Sequence, residues 1–392
     1  MNNRNYGIIA GALVLGFVFQ YAVNASHVVA NTRFNPNVDE SVGVLHQQQW
    51  QALGQKVFFD TALSTPQGQS CGSCHNPASA YADPGKVTTP GANPSLSANR
   101  NVPSITYSAY TPDWYYNSDD ETWVGGFFAD GRSLTMEHQA IEPLFNPLEM
   151  GVKDSQELAI KLRHSSYANQ FENVFDARVW QNPELIAYAV SKALVAFQKS
   201  QQFANRFSSK YDAFLRAEVQ LNGDEKRGLA LFEDEQKGNC AACHPNQVGP
   251  QGQWPLFTDF SYDNLGVPTN PNLAFLMLEK SHNPDGTDYA DPGLASNPNI
   301  RDPKAQLGKF KVPSLRNVAI TAPCMHNGFF DDLRESVEFY NNRDNSDKWS
   351  TPEIAENVNR DELGDLKLTE QEIDDIVAFL HTLTDNWRPT EN

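Results

Sequence analysis

The sequence predicts a mostly α-helical protein assembled twice over from one plan. Three observations carry this expectation. Apolar residues recur at helical spacing in long segments, while no strand-period segment stands out. A helix leading to the same five-residue cysteine motif occurs twice, and each of these units later closes with a long amphipathic helix.

Taken in order, the first unit opens with a short helix over 48–60 that contains Gly54 and Phe58 and leads to Cys71-Gly72-Ser73-Cys74-His75. It closes with a helix over 183–200. Asn182 is a good N-cap with Pro183 at the first helical position, and Leu185, Ile186, Ala189, Val190, Ala193, Leu194 and Phe197 recur on one face. The second unit opens at 224–232, with Gly228 and Phe232, and leads to Cys240-Ala241-Ala242-Cys243-His244. It closes at 369–384, where Thr369 and Glu372 form a capping box ahead of Ile373, Ile376, Val377, Leu380 and Leu383. The boundary falls near 200–222, giving domains of 26–205 and 206–392. Segments 76–135 and 245–315 are longer and more irregular than a compact domain carries without reason. Wrapping a large prosthetic group would be such a reason.

The 392 residues are 40% apolar and 11% aromatic, ample for a packed core. With 48 acidic and 30 basic side chains the formal charge is −18, which excludes nucleic acid as a partner and argues against an anionic membrane surface. Five cysteines are too few for a disulfide scaffold. Residues 1–25 read as an export signal: Arg4, an apolar run from Gly7 to Phe19, then Val23-Asn24-Ala25 before Ser26. The run is shorter than the roughly 20 residues of a spanning helix, so an uncleaved anchor is the lesser reading. The expected location is a bacterial periplasm.

A Cys-x-x-Cys pair alone could be a zinc half-site or a thiol redox pair. A His directly after the second Cys makes it the attachment signature of c-type haem. Both thiols form thioethers to the porphyrin, and the turn delivers the adjacent imidazole to the iron. The expectation is two covalent haems, held by Cys71, Cys74 and His75 and by Cys240, Cys243 and His244. The sixth ligand then separates carrier from enzyme, since Met or His there closes the iron and an empty site admits substrate. Met136, Met150, Met277 and Met325 are the available methionines besides Met1.

With these sites placed, the chain from about residue 44 to 384 resembles the bacterial di-haem cytochrome c peroxidase family, nearest its MauG-like branch. The resemblance rests on ordered motifs: Arg100-Asn101-Val102-Pro103-Ser104; Asp130-Gly131-Arg132; Gln139-Ala140 through Pro143 to Glu149-Met150; Val312-Pro313-Ser314-Leu315-Arg316-Asn317; and Thr321-Ala322-Pro323 through His326-Asn327-Gly328. It implies two cytochrome c-like domains, each wrapping one covalent haem, with a calcium ion between them. Glu149 matches the distal carboxylate that moves a proton on peroxide, and Gln139 and Pro143 match distal-pocket positions. Asn101, Thr321 and Pro323 match the calcium ligands, whose hard oxygen donors suit that ion. Tyr340 stands where cytochrome-fed peroxidases place a Met and MauG-like proteins a Tyr as sixth ligand of the second haem, with Met325 as runner-up. A phenolate there favours high oxidation states, whereas a thioether favours ferrous iron.

Three positions depart from the family pattern. Ala129 replaces the Trp that usually lies between the haems, leaving Trp114 and Trp123 as nearby candidates for another route. Cys324 stands where a Tyr is common and reads as apolar filler. Gly238 occupies the place where the branch's namesake carries a surface Trp. The resemblance implies an enzyme that uses hydrogen peroxide to oxidise a Trp or Tyr side chain of a partner protein. The alternatives are a peroxidase fed by a small cytochrome or cupredoxin, and a non-catalytic di-haem electron carrier.

Overall fold

The computed structural model describes residues 44–389, so the segment read as an export signal lies outside the described residues. Ten α-helices and four short strands are found among the described residues. The first half contains α1 (Val44–Phe58), α2 (Cys71–Cys74), α3 (Met136–Phe145), α4 (Ser155–Arg163), α5 (Ala168–Phe175) and α6 (Pro183–Lys199). The second contains α7 (Lys210–Leu215), α8 (Gly223–Glu233), α9 (Leu333–Asn342) and α10 (Glu370–His381).

The caps read from sequence set the helix ends. Asn182 Oδ1 accepts from the Glu184 amide at 3.0 Å, with Pro183 opening α6. Thr369 Oγ1 accepts from the Glu372 amide at 3.3 Å while Glu372 Oε2 accepts from the Thr369 amide at 2.8 Å. A reciprocal box of Asn222 and Glu225 opens α8 one residue before the sequence places it.

The irregular stretches hold two small antiparallel ribbons that the sequence pattern did not signal. Strand β1 (Tyr115–Asn117) pairs with β2 (Thr122–Val124), and β3 (Tyr262–Asp263) with β4 (Phe310–Lys311). Two or three residues are too few for a period to register.

Apolar burial falls into two large clusters, one drawn from Leu53 to Phe203 and the other from Tyr211 to Leu383. Each is organised by a helix crossing made possible by a glycine. A Cβ on Gly54 of α1 would lie 1.9 Å from the Ala193 carbonyl oxygen of α6. On Gly228 of α8 it would lie 1.9 Å from the Asp375 carbonyl oxygen of α10. Phe58 meets Phe197 edge-on at 5.5 Å, and Phe232 meets Phe379 at 5.2 Å, both at 62°. The repeat seen in sequence is therefore one helix crossing built twice.

Buried ion pairs join the halves. Arg100 binds Asp291 through Nε at 2.7 Å and Asp130 through Nη1 at 2.6 Å. Asp385 accepts from the Tyr107 hydroxyl at 2.9 Å and from Asn317 Nδ2 at 2.9 Å.

Candidate haem sites

The two cysteine motifs present their histidines identically. His75 Nδ1 lies 2.8 Å from the Tyr81 carbonyl oxygen, and His244 Nδ1 lies 2.8 Å from that of Phe257. A carbonyl only accepts, so Nδ1 carries the proton and Nε2 keeps its lone pair for a metal. Burial lowers the pKa of both imidazoles, which favours that neutral form. Tyr81 and Phe257 share a left-handed backbone, at φ 58° and 55°. Each loop is tied down by a serine hydroxyl, Ser104 Oγ donating to the Ala80 carbonyl and Ser314 Oγ to that of Leu256, both at 2.6 Å. Ser104 and Ser314 close the two Val-Pro-Ser triplets, 102–104 and 312–314. The sequence reading took those triplets as family motifs and missed that they are one device used twice; their repetition was the available signal.

No disulfide joins any two of the five cysteines. Burial raises Cys71, Cys240 and Cys243 to about 12 and Cys74 to about 11, so the thiols are neutral at ordinary pH. Two thiols on one turn with an imidazole lone pair beside them fit a haem in each half.

The turn that follows α3 acts electrostatically on the first set. Gln139 and Pro143 lie one helical turn apart on α3, both half-buried. The chain folds back at Asn146, whose Nδ2 donates to Glu149 Oε1 at 2.7 Å and leaves Oε2 free for other partners. Desolvation raises the Glu149 pKa, while Arg132 and the Asn146 hydrogen bond oppose it. The Glu149 charge in turn acts on the Cys71 and Cys74 thiols, so the carboxylate lies within electrostatic reach of the cysteines. Arg132 lies 3.5 Å over the Phe128 ring and binds both Asp130 oxygens, at 3.0 and 2.9 Å. Sequence reading passed over Glu142, which accepts from Ser133 Oγ and lies 3.5 Å from Arg132 Nε.

At the second set, Tyr340 of α9 has its hydroxyl 4.0 Å from Met325 Sδ. Burial raises the phenol, and the Cys324, Cys240 and Cys243 thiols add to the rise, so the phenol lies within electrostatic reach of the second cysteine pair. The other methionines are elsewhere: Met136 and Met150 sit in the first core, and Met277 is 80% exposed. Cys324 packs with Phe330 and Phe339 in an apolar cluster, as filler would.

The segments that carry Asn101 and Thr321/Pro323 are tied together by backbone hydrogen bonds. Asn101 N donates to the His326 carbonyl at 2.8 Å, and the Gly85 amide donates to that of Ala322 at 2.9 Å. Asn101 Nδ2 donates to the carbonyls of Lys86 and Val87 at 3.0 and 3.1 Å, which commits the amide nitrogen and turns Oδ1 to the other side. Among the described residues no group of three or more His, Cys, Asp or Glu could hold a metal, so a cation here would take neutral oxygens.

Between the two pockets the Ala129 carbonyl accepts from the Lys311 amide at 2.8 Å. Lys311 Nζ reaches the Gly126 carbonyl at 2.5 Å, and desolvation pushes it down to about 8. At Gly238 a Cβ would lie 2.4 Å from the Leu231 carbonyl oxygen, so this backbone leaves no room for a larger residue.

Two matching Cys-x-x-Cys-His sites on a mostly helical frame, the first coupled electrostatically to a carboxylate and the second to a phenol, point to a two-haem redox enzyme. The chain belongs to the di-haem cytochrome c peroxidase family, whose haem-dependent oxidoreductases use peroxide, and residues 48–220 match that family directly. It is 38% identical over 352 residues to the methylamine utilization protein MauG of Paracoccus denitrificans, covering 85% of this chain and 88% of that one. It is 32% identical over 346 residues to the cytochrome-c peroxidase IdrP1 of Denitromonas iodatirespirans, covering 85% and 81%. The crystal structure of the diheme peroxidase BthA from Burkholderia thailandensis superposes with a TM-score of 0.75 at 34% identity, covering 86% of each chain.

Proposed function

We propose that this protein is a periplasmic di-haem enzyme that uses hydrogen peroxide to oxidise an aromatic side chain of a partner protein. The observation that carries the reading is the buried Tyr340 phenol, beside Met325 and within electrostatic reach of the Cys240 and Cys243 thiols. Two domains, 26–205 and 206–392, would each hold one covalent c-type haem, through Cys71, Cys74 and His75 and through Cys240, Cys243 and His244. Bound haem supplies an iron able to accept oxidising equivalents from peroxide.

The chain's residues supply the proton chemistry. Glu149 Oε2 takes a proton from the nearer peroxide oxygen and returns it to the departing one. Asn146 holds the other carboxylate oxygen and so fixes the direction of Oε2. Gln139 orients peroxide and water, and Pro143 narrows the pocket against other ligands. Tyr340 would hold the second haem iron, where an anionic oxygen would favour high oxidation states. Asn101 Oδ1 and the Thr321 and Pro323 carbonyls would hold a calcium ion.

A second reading has a specific observation behind it. Met325 Sδ reaches the same pocket as Tyr340, and a thioether ligand would suit a peroxidase that draws electrons from a small cytochrome or cupredoxin. One stoichiometric addition of hydrogen peroxide to the fully ferric protein separates the two. A prompt, lasting change in the haem spectrum without reductant supports partner oxidation. A response that waits for reduction of one haem supports the cytochrome-fed peroxidase.

A further inference from the structure

Four aromatic rings run in contact from the protein surface to a buried ring on the segment that follows His244. In the β1/β2 ribbon Tyr116 stands opposite Trp123, and their rings meet at 5.1 Å and 64°. Trp123 stacks on Trp114 at 4.7 Å and 12°. Trp114 meets the edge of Tyr262 at 5.6 Å and 73°. The outer end, Tyr116, is 49% exposed and the inner end, Tyr262, 4%.

The inner end lies where both halves meet. Tyr262 belongs to the segment that gives His244 its Phe257 carbonyl, and Asp259 N in that segment donates to the Cys243 carbonyl at 3.1 Å. Trp114 packs so closely on the turn at 127–132 that a Cβ on Gly131 would lie 2.5 Å from its ring. The same turn carries Ala129, whose side chain offers no redox group.

The rings differ in what they can hold. An indole loses one electron without having to lose a proton, and two stacked indoles share the resulting charge. Tyr262 donates its hydroxyl to the Gly125 carbonyl at 2.6 Å. That oxygen is no base, so the phenolic proton has nowhere to go and Tyr262 bridges the rings without holding the charge. The outer end has its own chemistry. Asp113, Asp119, Asp120 and Glu121 are exposed around it, and residues 101–131 contain no Lys or Arg.

We infer that the Trp114/Trp123 pair is a one-electron relay opening on the surface at Tyr116, and that the acidic ribbon docks a positively charged protein which gives up the electron. The inference rests on the peroxide-using reading above. Reduction of one hydrogen peroxide to two waters consumes two electrons and two protons. The relay passes the electrons singly: the indole pair gives one inward, becomes a radical cation, and is refilled when the docked protein loses one electron. No bond forms or breaks in the relay, and the protons enter from solvent.

The test uses the full-length holoprotein without a partner, both fully ferric and with one haem reduced. One equivalent of hydrogen peroxide is added, and the sample is frozen for electron paramagnetic resonance. The expected result is an organic radical whose signal changes with ring-deuterated tryptophan and disappears in Trp114→Phe and in Trp123→Phe. Both replacements keep a ring in place, and the haem spectra report whether each variant is folded. A radical that persists in both variants overturns the relay, as does a wild-type protein that reacts with peroxide and yields no tryptophan radical. Docking is read separately, with a basic ferrous cytochrome c as probe. Asp119→Asn combined with Asp120→Asn and Glu121→Gln should slow its oxidation about 10-fold at low ionic strength, with the difference vanishing at high salt. An equal rate at low salt overturns the docking site. A protein that forms the radical yet oxidises no partner side chain leaves the relay standing and removes the proposed function.

Discussion

The Tyr340 hydroxyl stands 4.0 Å from Met325 Sδ, and the thiols of the second cysteine motif act electrostatically on the phenol. Only one of the two can take the sixth position of an iron held there, and they differ in charge. Burial disfavours the phenolate, so a Tyr340 ligand must draw its stability from the metal. Tyr340→Phe should then raise the potential of the second haem and abolish the reaction of the fully ferric protein with peroxide, while Met325→Leu leaves both nearly unchanged. Spectroelectrochemical titration of the two variants decides it, and the reverse pattern would make Met325 the ligand.

Glu149 should control the rate of the reaction with peroxide. Glu149→Gln keeps an oxygen to accept from Asn146 and leaves haem content intact, but cannot take a proton. Stopped-flow rates should fall about 10²–10⁴-fold. The pH dependence has a definite sign. Desolvation raises the folded-state pKa, so the base form fills later than in an ordinary carboxylate and the wild-type rate falls as pH drops through that raised value. Stability runs the other way. A raised folded pKa contributes stability that is fully present below the unfolded pKa and is lost as pH rises through the folded one. Near neutral pH the Gln variant should therefore be at least as stable as wild type in thermal melts.

Arg316 is the largest fully buried side chain, and its guanidinium binds both Asp212 oxygens, at 2.8 and 2.7 Å. Its remaining donors reach the Pro255 carbonyl at 3.0 and 2.6 Å. Asp212→Ala strands that charge without water. A loss of about 3–5 kcal/mol in denaturant unfolding is expected, the cost of breaking a buried pair from one side.

The architecture was legible where chemistry repeats at fixed spacing. Asn182 and Thr369 announced helix ends directly, and the two Cys-x-x-Cys-His motifs announced a pair of matching histidine sites. Helix α3 was not legible by periodicity, because Pro143 sits inside it and interrupts the expected pattern. Glu149 lies in a turn, where no periodicity applies, so only motif resemblance could single it out. The Tyr116, Trp123, Trp114 and Tyr262 path was beyond the sequence for another reason. Its inner ring comes from the other half of the chain, and only tertiary packing brings Tyr262 to Trp114.

Gly54 and Gly228 were visible in sequence as a repeat without a stated purpose, and the crossings supply one. At both, an added methyl would sit 1.9 Å from a backbone carbonyl oxygen, which cannot swing aside as a side chain can. Alanine favours a helix by about 1 kcal/mol over glycine, yet overpacking a tight contact costs about 1–3 kcal/mol and occasionally more. With backbone as the obstacle the upper end should apply, so Gly54→Ala and Gly228→Ala should each destabilise the protein. Their effects should also separate by half. Helix α1 precedes the Cys71 motif and α8 precedes the Cys240 motif, so Gly54→Ala should perturb the haem at His75 and Gly228→Ala the haem at His244. Redox titration resolves the two haems, and equal disturbance of both by either variant would show that the halves do not pack independently.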